Sequence, residues 1–80
     1  MEIEHKTATL DGKQIAFTNH TEFLIQVGRY AKGAYRTHYA FTGSLAKAVA
    51  YYNAINIGRG YKKRIVMVGA SKPVLARAMS

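Results

Sequence analysis

The sequence predicts an α+β domain: a small antiparallel sheet of four to five strands with one helix packed across one face. Three observations predict it. Period-two alternation of apolar and polar residues runs through TEFLIQVGRY and, strictly, through AYRTHYAF. One alanine-rich stretch, LAKAVAYYNAINI, carries helical spacing instead. Glycine-containing turns separate these segments, and strands grouped around one helix form a two-layer α+β sandwich.

Taken in order, EIEHKTATL reads as a polar strand with β-branched Ile3, Thr7 and Thr9. Asp11-Gly12 is the preferred type I′ hairpin pair, because both turn residues need positive φ. KQIAFTN returns with Ile15 and Phe17 on one face, and the mixed polarity of this hairpin places it at an edge of the sheet. The next strand sets Phe23, Ile25 and Val27 against Leu24, Gln26 and Gly28. Ala31-Lys32-Gly33 is the following turn. Alternation then puts Tyr35, Thr37, Tyr39 and Phe41 on one side, with Ala34, Arg36, His38 and Ala40 on the other. Thr42-Gly43-Ser44 offers a helix N-cap hydroxyl. Leu45, Ala48, Val49, Tyr52, Ile55 and Asn56 form the buried stripe of the helix, which Gly58 and Gly60 stop. YKKRIVMV is a further strand, and Ser71-Lys72-Pro73 opens a short helical tail, VLARAM. The 80 residues make one domain, with a polar hairpin over 1–20, a basic ββαβ core over 21–70 and a tail over 71–80.

Charge is the strongest functional signal. The net charge is +8. All four acids, Glu2, Glu4, Asp11 and Glu22, lie in the first 22 residues. Residues 23–80 hold ten cations (Arg29, Lys32, Arg36, Lys47, Arg59, Lys62, Lys63, Arg64, Lys72, Arg77) and no carboxylate. Such a segment cannot neutralise itself, and an anionic partner would offset its self-repulsion. The plainer alternative is a solvated surface that keeps a small protein soluble. No apolar run approaches the roughly 18 residues of a membrane span. MEIEHK lacks the basic start and apolar middle of a signal peptide, so no membrane association and a cytoplasmic setting are expected. There is no cysteine, hence no disulfide or thiolate metal site.

The chemistry-bearing residues point to binding rather than catalysis. Four acids crowded in the N-terminal hairpin exclude a carboxylate pair elsewhere, and His5, His20 and His38 lack metal-ligand spacing. No cofactor is expected. A carboxylate-free basic ribonuclease built on His38 ranks third among the readings, since histidine can move the proton and cations can stabilise phosphate charge. GRGYKKR resembles a phosphate loop in composition, but it follows a helix C-terminus, where the dipole favours cations. The helix carries only Lys47 and is unlike a groove-reading helix. The candidate interface is therefore Arg29, Tyr30, Lys32, Arg36 and His38 of the hairpin with Arg59, Tyr61, Lys62, Lys63 and Arg64 of the loop before the last strand. Tyr30 and Tyr61 are the stacking candidates. Tyr35 and Tyr39, with Phe41 and Tyr52, read first as sheet–helix core, with base stacking as the alternative.

The order FLIQV, turn, YRTHYAF, SLAKAVAYYNAINIG, KRIVMV gives strand–strand–helix–strand over residues 23–68. In element order and size it resembles small phage-encoded inhibitors of host machinery, including some anti-CRISPR proteins and an inhibitor of bacterial RNA polymerase. The resemblance implies an alternative function: a viral inhibitor or adaptor in the host cytoplasm, docking on an acidic surface of a nucleic-acid-processing protein or ribonucleoprotein complex. The first reading is a non-enzymatic basic module that binds RNA or DNA. An exposed sheet edge could also pair two copies.

Overall fold

Asp11 and Gly12 close the first hairpin in the way their turn chemistry requires. In the computed structural model, which describes residues 2–70 and 73–78, their φ values are 52° and 78°. They join β1 (His5–Leu10) to β2 (Lys13–Thr18), paired antiparallel from His5↔Thr18 to Leu10↔Lys13. This hairpin is a two-stranded sheet of its own and not an edge of the main sheet, which corrects the expectation above. Its apolar side, Ala8, Leu10, Ile15 and Phe17, rests against the core. Phe17 meets Phe23 edge-on, with centroids 5.2 Å apart. Backbone and side-chain bonds fasten the hairpin's end. Asn19 Oδ1 accepts from the Glu4 amide at 2.9 Å, and Lys6 Nζ donates to the Gly43 carbonyl at 3.1 Å.

The main sheet has four antiparallel strands in the order β4 (Tyr35–Thr42), β3 (Glu22–Arg29), β5 (Tyr61–Met67), β6 (Leu75–Ala78). Ser71 and Lys72, expected to open a helical tail, lie outside the described residues, but Leu75–Ala78 is a strand rather than a helix. It pairs with β5 from Ile65↔Leu75 to Lys62↔Ala78. The open edge of β5 offers unpaired backbone groups, and satisfying them outweighs the weak helical preference of a four-residue segment.

α1 (Leu45–Ala54) lies across β3, β4 and β5. Ser44 is its N-cap, and its hydroxyl accepts from the Lys47 amide at 3.2 Å. The helix ends earlier than the glycines imply. Ile55 is already extended (φ −72°, ψ 140°), and Ile55 and Ile57 are half-buried on either side of an exposed Asn56. Two β-branched residues flanking asparagine favour that alternation over another helical turn. Gly58 and Gly60 therefore do not stop the helix. They build the turn into β5, in which Gly60 has φ +82° and the Tyr61 amide donates to the Gly58 carbonyl.

The core is one layer between helix and sheet. Phe23, Ile25, Ile65 and Leu75 from the strands meet Leu45, Ala48 and Tyr52 from α1, and all are buried. Each large side chain contributes roughly 1.5–3 kcal/mol. Partnered residues share a sheet face, so the register assigns every strand residue to the helix side or the open side. Phe23 faces Phe41 and Met67, and Ile25 faces Tyr39 and Ile65, all on the helix side.

The strict alternation expected for β4 is broken by a bulge. Ile25 pairs with Tyr39, but Gln26 pairs with Thr37, leaving His38 as an extra residue. Tyr39 and Phe41 lie on the helix side, whereas Thr37 and Tyr35 partner Gln26 and Gly28 on the open side. Arg36 partners Val27 and moves to the helix side. Neither Tyr35 nor Tyr39 is core. Tyr35 is half-buried, and Tyr39 is 52% exposed.

Candidate nucleic-acid interface

The helix-free face of the sheet is built by the residues that alternate with the core. On β3 these are Leu24, Gln26 and Gly28, and on β5 their partners are Val66, Arg64 and Lys62. On β4 they are Ala40, Thr37 and Tyr35. None of the buried core side chains belongs to this face.

Gly28 organises it. It sits opposite Tyr35 on one side and Lys62 on the other. With no side chain between them, Tyr35 reaches over β3 to the cations of β5. The Arg64 guanidinium lies 3.8 Å from the Tyr35 ring centroid, and Lys62 Nζ lies 5.0 Å from it. Lys62 also approaches the Tyr30 ring, at 5.7 Å. Arg64 is held from its other side, since its Nε donates to Gln26 Oε1 at 2.8 Å and Gln26 Nε2 donates to Thr37 Oγ1 at 3.4 Å. The result is a half-exposed plate of two tyrosines, one lysine and one arginine, with amide and hydroxyl groups beside it. A planar guanidinium stacked on a ring presents a flat surface and unspent N–H donors together.

A second group of cations lies on the helix side, beyond the end of α1. Arg29, Lys32 and Arg36 line a recess of about 550 Å³ with Val27, Gly28, Ala34 and Tyr61. Arg29 Nε donates to the Tyr61 hydroxyl at 3.0 Å, which fixes that guanidinium. Among the described residues no carboxylate lines the recess.

The ten expected interface residues thus separate into places. Tyr30, Lys62 and Arg64 meet on the open face. Arg29, Lys32, Arg36 and Tyr61 meet in the recess. Arg59 is exposed in the turn that enters β5. Lys63 faces the helix. Its Nζ donates to the Tyr52 carbonyl at 2.6 Å and lies 4.5 Å from the Tyr52 ring centroid, so it caps the helix C-terminus. His38 stands apart from the open-face cations, its ring 6.0 Å from that of Tyr51 on α1. Tyr51 also contacts Tyr39 and Phe41, at 5.0 and 5.6 Å, forming an aromatic ridge along the β4 edge. Arg36 and His38 do not form the outer face that alternation predicts, because the bulge puts Arg36 beside Val27 on the helix side and His38 against Tyr51 of α1.

The open face contains two residues absent from the expected set, Tyr35 and Gln26. Their signal was Gly28, a glycine inside an otherwise apolar strand, which marks a place where something crosses closely. Among the described residues no group of histidines and acids could hold a metal ion. No helix among them is long and apolar enough to cross a membrane. Comparison with known proteins finds no matching family model, no matching curated protein and no matching solved structure.

Proposed function

We propose that this chain is a nucleic-acid-binding module that works through the helix-free face of its sheet and the loop entering β5. The observation that carries the reading is the stack of Arg64 and Lys62 on Tyr35, unpaired with any acid, on a face that no helix covers. Bases offer flat π-faces to such a plate, and phosphates offer negative charge to a segment that holds ten cations and no carboxylate side chain. Stacking requires bases whose faces are free, so single strands should be preferred to duplex.

Fluorescence anisotropy against random single-stranded RNA, single-stranded DNA and duplex DNA across a salt series tests it. Binding should weaken steeply with salt, with a log–log slope of about −0.7 for each cation engaged on a single strand. Tyr35→Ala should cost about 1–3 kcal/mol of binding by removing the stacking surface. No binding to any of the three at low salt refutes the reading.

A second reading, the inhibitor or adaptor that docks on an acidic protein surface, is favoured by the aromatic ridge of Tyr39, Phe41 and Tyr51, in which Tyr39 is exposed. Aromatic side chains at a surface are among the residues that anchor protein interfaces. That reading expects tight binding to one acidic partner and indifference to random oligonucleotides.

A further inference from the structure

The recess beside the β3–β4 turn is distinct from the open face, and its charge is concentrated. Arg29, Arg36, Lys32 and Tyr61 line it together with the backbone at Val27, Gly28 and Ala34. By register Val27, Arg29, Arg36 and Tyr61 all lie on the helix side, so the recess opens away from the plate formed by Tyr35 and Arg64. The Ala34 carbonyl comes so close to Gly28 that a Cβ there would sit 2.2 Å from it, so the chain returning from the turn is packed tightly on β3 beside the recess.

Among the described residues the Lys32 and Arg36 side chains have no hydrogen-bond or ion-pair partner. Arg29 is oriented by the Tyr61 hydroxyl through Nε alone, which leaves its two terminal nitrogens for another acceptor. Three cations line one recess with no carboxylate among the described residues, and an anion bound there would offset their mutual repulsion. An internal phosphodiester brings one negative charge and runs on in both directions, which suits an open track. A phosphate monoester brings close to two charges at pH 7 and three acceptor oxygens, which can engage all three cations of one recess at once.

We infer that this recess binds a phosphate monoester and, on the nucleic-acid reading above, the terminal phosphate of a strand whose bases lie on the open face. The chemistry required is the same for a free nucleotide. The recess volume of about 550 Å³ falls within the usual range for small-ligand sites and accepts either.

Four single-stranded oligonucleotides of one sequence test the inference: 5′-phosphate against 5′-hydroxyl, and 3′-phosphate against 3′-hydroxyl, each labelled at the opposite end. Binding is read by anisotropy at fixed salt, with adenosine monophosphate and inorganic phosphate as competitors. Charge-assisted hydrogen bonds to a monoester should tighten binding of one phosphorylated end by about tenfold or more. Arg36→Gln and Lys32→Gln should each remove that preference while leaving affinity for the hydroxyl-ended strands within a few-fold. Lys47→Gln, an exposed cation on α1, should not affect the preference. Both recess residues are exposed and partnerless, so the variants should fold, and circular dichroism verifies it.

If both ends bind equally with and without phosphate, the inference is overturned and the nucleic-acid reading stands. The same conclusion follows if the preference survives the Arg36→Gln, Lys32→Gln double variant. If no strand binds, the nucleic-acid reading fails. Chemical-shift titration with adenosine monophosphate then decides the recess: binding lost in Arg36→Gln keeps the monoester site with a free nucleotide as its source, and no binding rejects the site as well.

Discussion

Gly28→Ala should destabilise this protein, and the amount follows from one distance. A Cβ at position 28 would sit 2.2 Å from the Ala34 carbonyl oxygen, 3.1 Å from its carbon and 3.3 Å from the Tyr35 Cα. All three are backbone atoms, so no side chain can swing away, and the β3–β4 hairpin must open instead. Overpacking of this kind costs about 1–3 kcal/mol, and a shift of nearly an ångström in backbone belongs at the upper end. Against it stands the loss of glycine's freedom in the unfolded chain, worth about 0.4–1 kcal/mol in favour of alanine. The net expectation is a loss of about 2 kcal/mol, which in a domain of this size lowers Tm by roughly 8–16 °C. Gly58→Ala is the matched control. Its backbone is outside the left-handed region, and its Cβ would make ordinary contact with the Tyr61 ring at 3.6 Å. The unfolded-state term then acts alone, and Tm should hold or rise by a few degrees. Thermal unfolding by circular dichroism at one protein concentration measures both. A Gly28→Ala protein as stable as the parent, or a Gly58→Ala protein that loses as much, would refute the close approach that organises the open face.

Three further outcomes are expected. Lys63→Met should lower stability by about 1–2 kcal/mol in chemical denaturation, since it removes a charge-assisted bond to the helix C-terminus. It should leave the salt slope of oligonucleotide binding unchanged, whereas Lys62→Met should reduce that slope by about 0.7. Ser44→Ala should cost about 1 kcal/mol by the same denaturation measurement, because the hydroxyl that accepts from Lys47 is lost. Incubation with labelled RNA should leave it intact on a denaturing gel. Cleavage that disappears in His38→Ala would establish the ribonuclease reading instead.

Local rules made much of the fold legible. The Asp11-Gly12 turn, the Ser44 cap, the helical stripe of Leu45, Ala48 and Tyr52, and the apolar side of β3 were each specified by residues within a few positions of one another. So was the charge asymmetry, which is a property of composition and needs no coordinates. The sequence also named most of the cations and tyrosines of the candidate site.

How those residues divide was decided by tertiary structure. The bulge at His38 is one extra residue in a strand that alternates strictly on paper, and only pairing with β3 reveals it. Because side-chain direction has period two, that single residue moves Tyr35 to the open face and Arg36 into the recess. Lys63 was indistinguishable from Lys62 and Arg64 in a run of cations, until β-strand alternation and the position of α1 sent it to the Tyr52 carbonyl. Leu75–Ala78 carries a weak local preference and became a strand because β5 had an unpaired edge. The residues alone determined an α+β chain with an uncompensated basic second half. Only long-range strand register, whose hydrogen bonds join residues far apart in sequence, determined which cations meet on which face.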